Sequence, residues 1–204
     1  MKIIDPSAIL VAPPAYDELL WRVENAGRTC YKSEMKKASA EPFVRNIIAR
    51  GHEAVLEHGT LTARFTCDRG VSHEIVRHRL AAYCQESTRY CNYSKSKFGQ
   101  EITVIRPSFW KKGSLEYDIW EQSCLAAERA YMGLLDAGAT PQEARSVLPN
   151  SLKTEVVMTA NIREWRHFFE LRTSPAAHPQ MRELAVALLA LSHRLYPVFF
   201  EDLA

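Results

Sequence analysis

Residues 61–90 read LTARFTCDRGVSHEIVRHRLAAYCQESTRY, and the change of period inside this stretch decides the fold. From Leu61 to Asp68, Leu, Ala, Phe and Cys alternate with Thr, Arg, Thr and Asp, the period-two pattern of a half-buried strand. Gly70 punctuates, and Ser72 is placed to cap a helix carrying His73, Glu74, Ile75 and Val76 into Arg77-His78-Arg79. The basic triplet then falls near the C-terminal end of a short helix, with irregular backbone expected from there to Tyr90. Three arginines, a histidine, a carboxylate, an amide and two hydroxyls crowd into residues 77–90, a mixture wasteful for a core and unusual for a plain solvated face. It suits an anionic, hydrogen-bonding ligand. Arg77, Arg79 and Arg89 can each fork onto phosphate oxygens, and Ser87 with nearby backbone N–H groups can complete a cradle.

Outward from this stretch, helices outnumber strands. Residues 2–12 read as one strand ending at Pro13-Pro14, and Tyr16 to Gly27 as a helix with Gly27 as its stop. Glu41-Pro42 opens a helix that runs to Gly51. Glu101–Ile105 is expected as a strand. Leu115–Ala137 follows as a long helix with Ile119, Leu125, Ala126, Tyr131 and Leu134 as its apolar face. A short helix from Pro141 ends at Leu148-Pro149, Lys153–Met158 alternates as a strand, and helices follow over Asn161–Leu171 and Gln180–Leu195. There is no regular βαβ alternation, so the expected class is α+β, in one domain spanning residues 1–204.

Composition narrows the function. With 47% hydrophobic residues among 204, the chain can bury a substantial core, and a net charge of +2 argues for a small anion rather than a nucleic-acid polymer as ligand. Five scattered cysteines without a C-x-x-C pair point to a reduced, cytoplasmic protein with neither disulfide framework nor zinc knuckle. The N-terminus meets charge and proline too early for a signal peptide, and the apolar run Leu184–Leu191 is too short to cross a bilayer, so no membrane partner is expected. His73-Glu74 with His78 resembles the zincin motif H-E-x-x-H. However, five residues rotate a helix by roughly 500°, about 100° off a shared face, so no metal is expected. No base stands at recognisable spacing to activate Ser87 or Cys84 as a nucleophile. A second polar group is Asn161, Arg163, His167 and Arg172: the first three share a helix with an apolar stripe of Trp165, Phe168, Phe169 and Leu171, and Arg172 falls just after it. By itself it reads as a capping asparagine and ordinary amphipathic charge.

Taken together, the segments resemble the flavin-dependent thymidylate synthases. The hallmark of that family is R-H-R, seven residues, then S, which Arg77-His78-Arg79 through Ser87 meets, with Arg89-Tyr90 following. Ala26 to Tyr31, Gly51-His52-Glu53 with Glu57-His58, Arg145 before Leu148-Pro149, and Asn161-Ile162-Arg163 through Leu171-Arg172 fall in the family's order. The resemblance implies reductive methylation of dUMP to dTMP without a protein nucleophile. Its carbon donor is 5,10-methylenetetrahydrofolate, its cofactor FAD and its reductant NADPH. It also implies a mixed α/β fold in a homotetramer with active sites between subunits.

By the same resemblance, Ala54, Arg77, His78, Arg79, Leu80, Gln85, Asn161, Ile162, Arg163 and His167 would border FAD. The nucleotide would lie against Glu74, Ile75, Val76, Arg77, Gln85, Glu86, Ser87, Thr88, Arg89, Arg145 and Arg172, with Arg172 as the catalytic group. The chain departs from the fuller pattern R-H-R-x-x-S-x-N-E-x-S-x-R-Y, with Ala82, Cys84 and Gln85 at the S, N and E positions. Glu74 stands where many members carry glutamine, and His167 where asparagine is common. Two rival readings are a catalytically silent relative that still binds nucleotide or flavin, and a module that holds nucleic-acid phosphates through Arg77, Arg79 and Arg89.

Overall fold

The computed structural model describes residues 1–203. The chain opens with two short strands, β1 (Lys2–Ile4) and β2 (Ser7–Leu10), then helices α1 (Tyr16–Tyr31) and α2 (Ala40–Ala49) and a 3-10 helix over Glu53–His58. Next come β3 (Thr60–Asp68), α3 (Arg69–Ile75), β4 (Ala81–Gln85) and β5 (Thr103–Ile105). The long helix α4 (Leu115–Asp136) precedes α5 (Pro141–Ala144) and a 3-10 turn, Arg145–Val147. The chain then forms β6 (Lys153–Asn161), α6 (Ile162–Arg172), α7 (Pro179–Leu195) and α8 (Pro197–Phe200). β1 pairs in parallel with β5, Ile3 opposite Val104. The remaining four strands form a sheet in the order β2-β3-β6-β4. The result is a mixed α/β fold, and among the described residues no helix is long and apolar enough to cross a membrane.

Two compact units can be separated. The first comprises Met1–Ser7, Phe65–Ile75 and Cys84–Val156; the second comprises Ala8–Arg64, Val76–Tyr83 and residues from Val157 on. The core of the first unit gathers Tyr93, Ile102, Val104, Tyr117, Trp120, Cys124, Tyr131, Ala144 and Leu152. The face of α4 that packs here is Tyr117, Trp120, Cys124 and Tyr131, while Ile119 and Leu134, expected to be buried, are 58% and 36% exposed. The aromatic stripe prevails because its rings remove more area from water and its polar tips find partners. Trp120 Nε1, for example, donates to Ser151 Oγ at 2.9 Å.

In the second unit, the apolar face of α6 is the centre. Trp165, Phe168 and Phe169 are buried, Phe169 meets the Phe200 ring edge-on at 5.5 Å, and Trp165 Nε1 donates to the Leu61 carbonyl at 3.0 Å. Arg166 is 5% exposed and engaged through both terminal nitrogens, while its buried Nε has no hydrogen-bond partner among the described residues. Nη1 donates to the Phe199 carbonyl at 2.6 Å, and the guanidinium forks onto Asp202 at 2.7 and 2.6 Å. That pairing holds the Asp202 carboxyl below its usual range.

Four expectations need correcting. Residues 2–12 are two strands in different sheets, separated at Asp5-Pro6, because proline cannot donate to a ladder. Ser72 lies inside α3, and the cap is Asp68, whose Oδ1 accepts from the Val71 N–H at 2.7 Å. The stretch after the basic triplet is not irregular throughout, since Ala81–Gln85 is strand.

Gly27 does not stop α1 but lies within it, and a Cβ there would come 2.5 Å from Phe43 Cζ and 2.9 Å from Val55 Cγ1. Its glycine serves close packing. Helix propensity favours alanine by about 1 kcal/mol, but forcing a methyl into this contact costs about 1–3 kcal/mol. Gly27→Ala is therefore expected to lower stability on balance. A denaturant midpoint at or above that of the wild type would refute the packing account.

Candidate functional site

The basic triplet leaves α3 in a turn of the second unit, where its three side chains diverge. Arg77 and Arg79 are exposed and His78 is 4% exposed. The turn is held from behind by Tyr83, whose hydroxyl donates to the His78 carbonyl at 2.7 Å. Burial pushes the Tyr83 hydroxyl up to about 12, so it keeps its proton and remains a donor.

His78 lies between two groups of α6. Arg172 Nε donates to His78 Nε2 at 3.0 Å, and His78 Nδ1 lies 3.0 Å from Glu164 Oε1. An arginine Nε can only donate, so Nε2 must be the bare nitrogen, and Nδ1 carries the proton that Glu164 accepts. Burial first, then the Arg172 charge and His167, press His78 down to about 4, so the ring is neutral at ordinary pH. Burial also pushes the Glu164 carboxyl upward. The result is a carboxylate–imidazole–guanidinium chain that begins on the first turn of α6 and returns to its last residue.

The first turn of α6 is itself held. Asn161 is the N-cap, its Oδ1 accepting from the Glu164 N–H at 2.8 Å. Ile162 faces the core and is fully buried. On the outer side Arg163 pairs with Glu57 at 2.8 Å and Glu53 at 3.4 Å, both on the 3-10 helix. A cavity of about 420 Å³ opens here, and Arg79, Leu80, Asn161, Arg163 and His167 line it together with Glu164. Arg163 also borders an adjoining cavity of about 340 Å³ lined by Ala54, His52 and Cys30. Seven of the ten residues expected around the cofactor are thereby gathered in one region of the second unit, His78 joining through Glu164. Arg77 and Val76 are exposed on the turn, and Ile162 supports the helix from the core side.

Ligand atoms of His78, Glu164 and His167 approach within 4.8 Å of one another. Both ring nitrogens of His78 are already engaged, however, and a guanidinium at 3.0 Å opposes a cation. The helical spacing of His73 and His78 does not arise, since α3 ends at Ile75.

The first unit carries the other expected residues. Thr88 is 6% exposed and accepts from Arg145 Nη1 at 3.4 Å. Ser87 Oγ accepts from the Arg89 N–H at 3.3 Å, and the exposed Arg89 guanidinium lies over the Tyr90 ring at 5.5 Å. Gln85 and Glu86 have structural partners. Gln85 Nε2 donates to Ser72 Oγ at 2.9 Å and Thr154 Oγ1 at 3.3 Å, while Glu86 accepts from Lys153 Nζ at 2.9 Å and Tyr93 Oη at 3.1 Å. Ile75 is core, and Glu74 is half-buried.

Glu164 is the functional residue that sequence reading missed. Its signal, N-x-x-E at a helix start, is also that of a capping box, which would turn the carboxylate back onto its own helix. Only the fold reveals that it serves His78 instead.

Residues 16–198 match the family described as thymidylate synthase complementing protein. The flavin-dependent thymidylate synthase of Geobacter sulfurreducens is 33% identical over 186 residues, covering 87% of this chain and 78% of the relative. That of Corynebacterium aurimucosum is 34% identical over 200 residues, with 88% and 78% covered. Among solved structures, the UMP/dUMP methylase PolB of Streptomyces cacaoi bound with 5-Br dUMP superposes with a TM-score of 0.77 at 22% identity, covering 98% of this chain and 96% of that one. The chain belongs to the flavin-dependent thymidylate synthase family, whose members are methyltransferases acting on dUMP.

Proposed function

We propose that this protein reductively methylates dUMP to dTMP, with 5,10-methylenetetrahydrofolate as carbon donor, FAD as cofactor and NADPH as reductant. The observation that carries the reading is Arg172, a permanent cation fixed through Nε by a neutral, buried His78 of the R-H-R motif. The residues of the second unit fit a flavin. Arg79, Asn161, Arg163 and His167 offer polar groups along the cavity wall, and Leu80, 85% exposed, offers an apolar surface. That mixture suits a ring system with one polar and one hydrocarbon edge. When bound, the flavin supplies the electrons that reduce the transferred carbon to a methyl group.

The chain's own task is placement and electrostatics. Negative charge built up across N3, C4 and O4 makes uracil a stronger nucleophile at C5. The Arg172 guanidinium is suited to hold that charge without titrating. Arg79 and Arg163 would hold the cofactor, while Ser87, Thr88, Arg89 and Arg145 would hold the nucleotide phosphate. In this reading no protein nucleophile takes part, and the two buried thiols are poor candidates for one: burial pushes Cys67 up to about 12 and Cys124 up to about 11. The reading extends to one domain over residues 1–204 and a cytoplasmic homotetramer whose sites form between subunits.

The test is the visible spectrum of the purified protein incubated with FAD and titrated with dUMP. A bound-flavin spectrum that shifts saturably with dUMP is expected. A flavin-free protein indifferent to dUMP would overturn the reading in favour of a silent relative or a nucleic-acid module. Steep loss of DNA affinity with salt would mark the latter.

A further inference from the structure

Within the first unit, a cavity of about 240 Å³ is lined by Thr88, Arg145, Ser146 and Asn150, and by a further cation, Arg69. Among the described residues, no carboxylate lines it. Arg69 opens α3, and its backbone N–H reaches the carbonyls of Asn150 at 2.9 Å and Leu152 at 3.1 Å, which pins its Cα against the loop that forms the cavity wall. Its Nη1 is buried and, among the described residues, has no hydrogen-bond partner. A buried guanidinium N–H without an acceptor is costly, and natural structures rarely leave one so unless a ligand completes it. Two guanidiniums, two hydroxyls and no acid in one small cavity select an anion, and a phosphomonoester presents enough oxygens to fork onto both arginines.

We infer that Arg69 is a phosphate-binding residue of this enzyme, sharing the 5′-phosphate of the nucleotide with Arg145. The inference rests on the dUMP reading above and adds a residue outside the R-H-R motif. Arg145 keeps a long 3.4 Å bond to Thr88 and projects from an exposed turn. Arg69 is the more deeply set of the two, anchored by its backbone at the start of a helix.

Calorimetric titration of the full chain with dUMP and with deoxyuridine, which lacks the phosphate, tests this. Wild type is expected to bind dUMP more tightly than deoxyuridine. Arg69→Ala is expected to weaken dUMP by about 10- to 100-fold, the size of one charge-assisted hydrogen bond, while leaving deoxyuridine unchanged. Arg69→Lys, which keeps the charge but loses the fork, should fall between. The dUMP-to-deoxyuridine ratio is the readout, because a folding defect would weaken both ligands together. An unchanged ratio in Arg69→Ala, with wild type still preferring dUMP, discards Arg69 and leaves the dUMP reading intact. A wild type that shows no preference for the phosphate overturns both.

Discussion

Arg172→Ala is expected to reduce thymidylate formation by roughly 10²- to 10³-fold or more, the usual loss when one preorganised donor to a developing anion is removed. Flavin binding should persist. Two of the cavity residues are held by contacts that do not include Arg172: Asn161 caps α6, and Arg163 is paired with Glu57. Arg172→Lys is not expected to rescue. A lysine cannot give one N–H to His78 Nε2 and present a planar fork beyond it. Product quantitation beside the flavin absorbance checks both parts. Wild-type turnover in Arg172→Ala would remove this arginine from the chemistry, and loss of flavin would recast it as a cofactor ligand.

How much of this was legible depends on whether a residue's partner is near in sequence. β3 and β6 could be read directly, because strand burial obeys a local rule: along β6, Thr154, Val156, Met158 and Ala160 are buried and the residues between them are half-buried. The start of α6 was legible for the same reason, since Asn161 caps a group three residues on. Long-range competition produced the failures. α4 presents two apolar stripes, and nothing within the helix says that Trp120 will find Ser151 and win. Gly27 resembles a terminator unless the approach of Phe43 and Val55 is known.

The site divides along the same line. The R-H-R motif announced itself by composition, whereas the role of each member came from the fold. Arg77 and Arg79 turn outward, and His78 turns into a pocket formed by a helix that begins 84 positions later. Glu86 illustrates the converse. As a carboxylate next to Ser87 it reads as a ligand contact, yet Lys153 and Tyr93 occupy both its oxygens.

Glu164 is a positioning residue in this account, and replacing it separates shape from hydrogen bonding. Glu164→Leu keeps most of the volume but leaves the His78 Nδ1–H without its acceptor. The ring proton is then free to move to Nε2, where it would confront the Arg172 Nε–H donor to donor. Turnover is expected to fall by about 10- to 100-fold, in line with a lost charge-assisted hydrogen bond. Glu164→Gln retains a carbonyl acceptor and should recover most of that loss. Nitrogen chemical shifts of the His78 ring supply a readout that a merely structural role would not move. Wild type and Glu164→Gln should show the Nδ1–H tautomer, and Glu164→Leu a mixture. pH gives a second check. His78 stays neutral in the folded chain down to about 4, against an ordinary value of 6.5, so the unfolded chain takes up its proton first. His78 therefore contributes a loss of stability as pH falls from about 6.5 toward about 4, and none above that window. A His78 that is charged at neutral pH, or a Glu164→Leu protein with wild-type turnover and tautomer, would break the chain from carboxylate to guanidinium on which the placement of Arg172 depends.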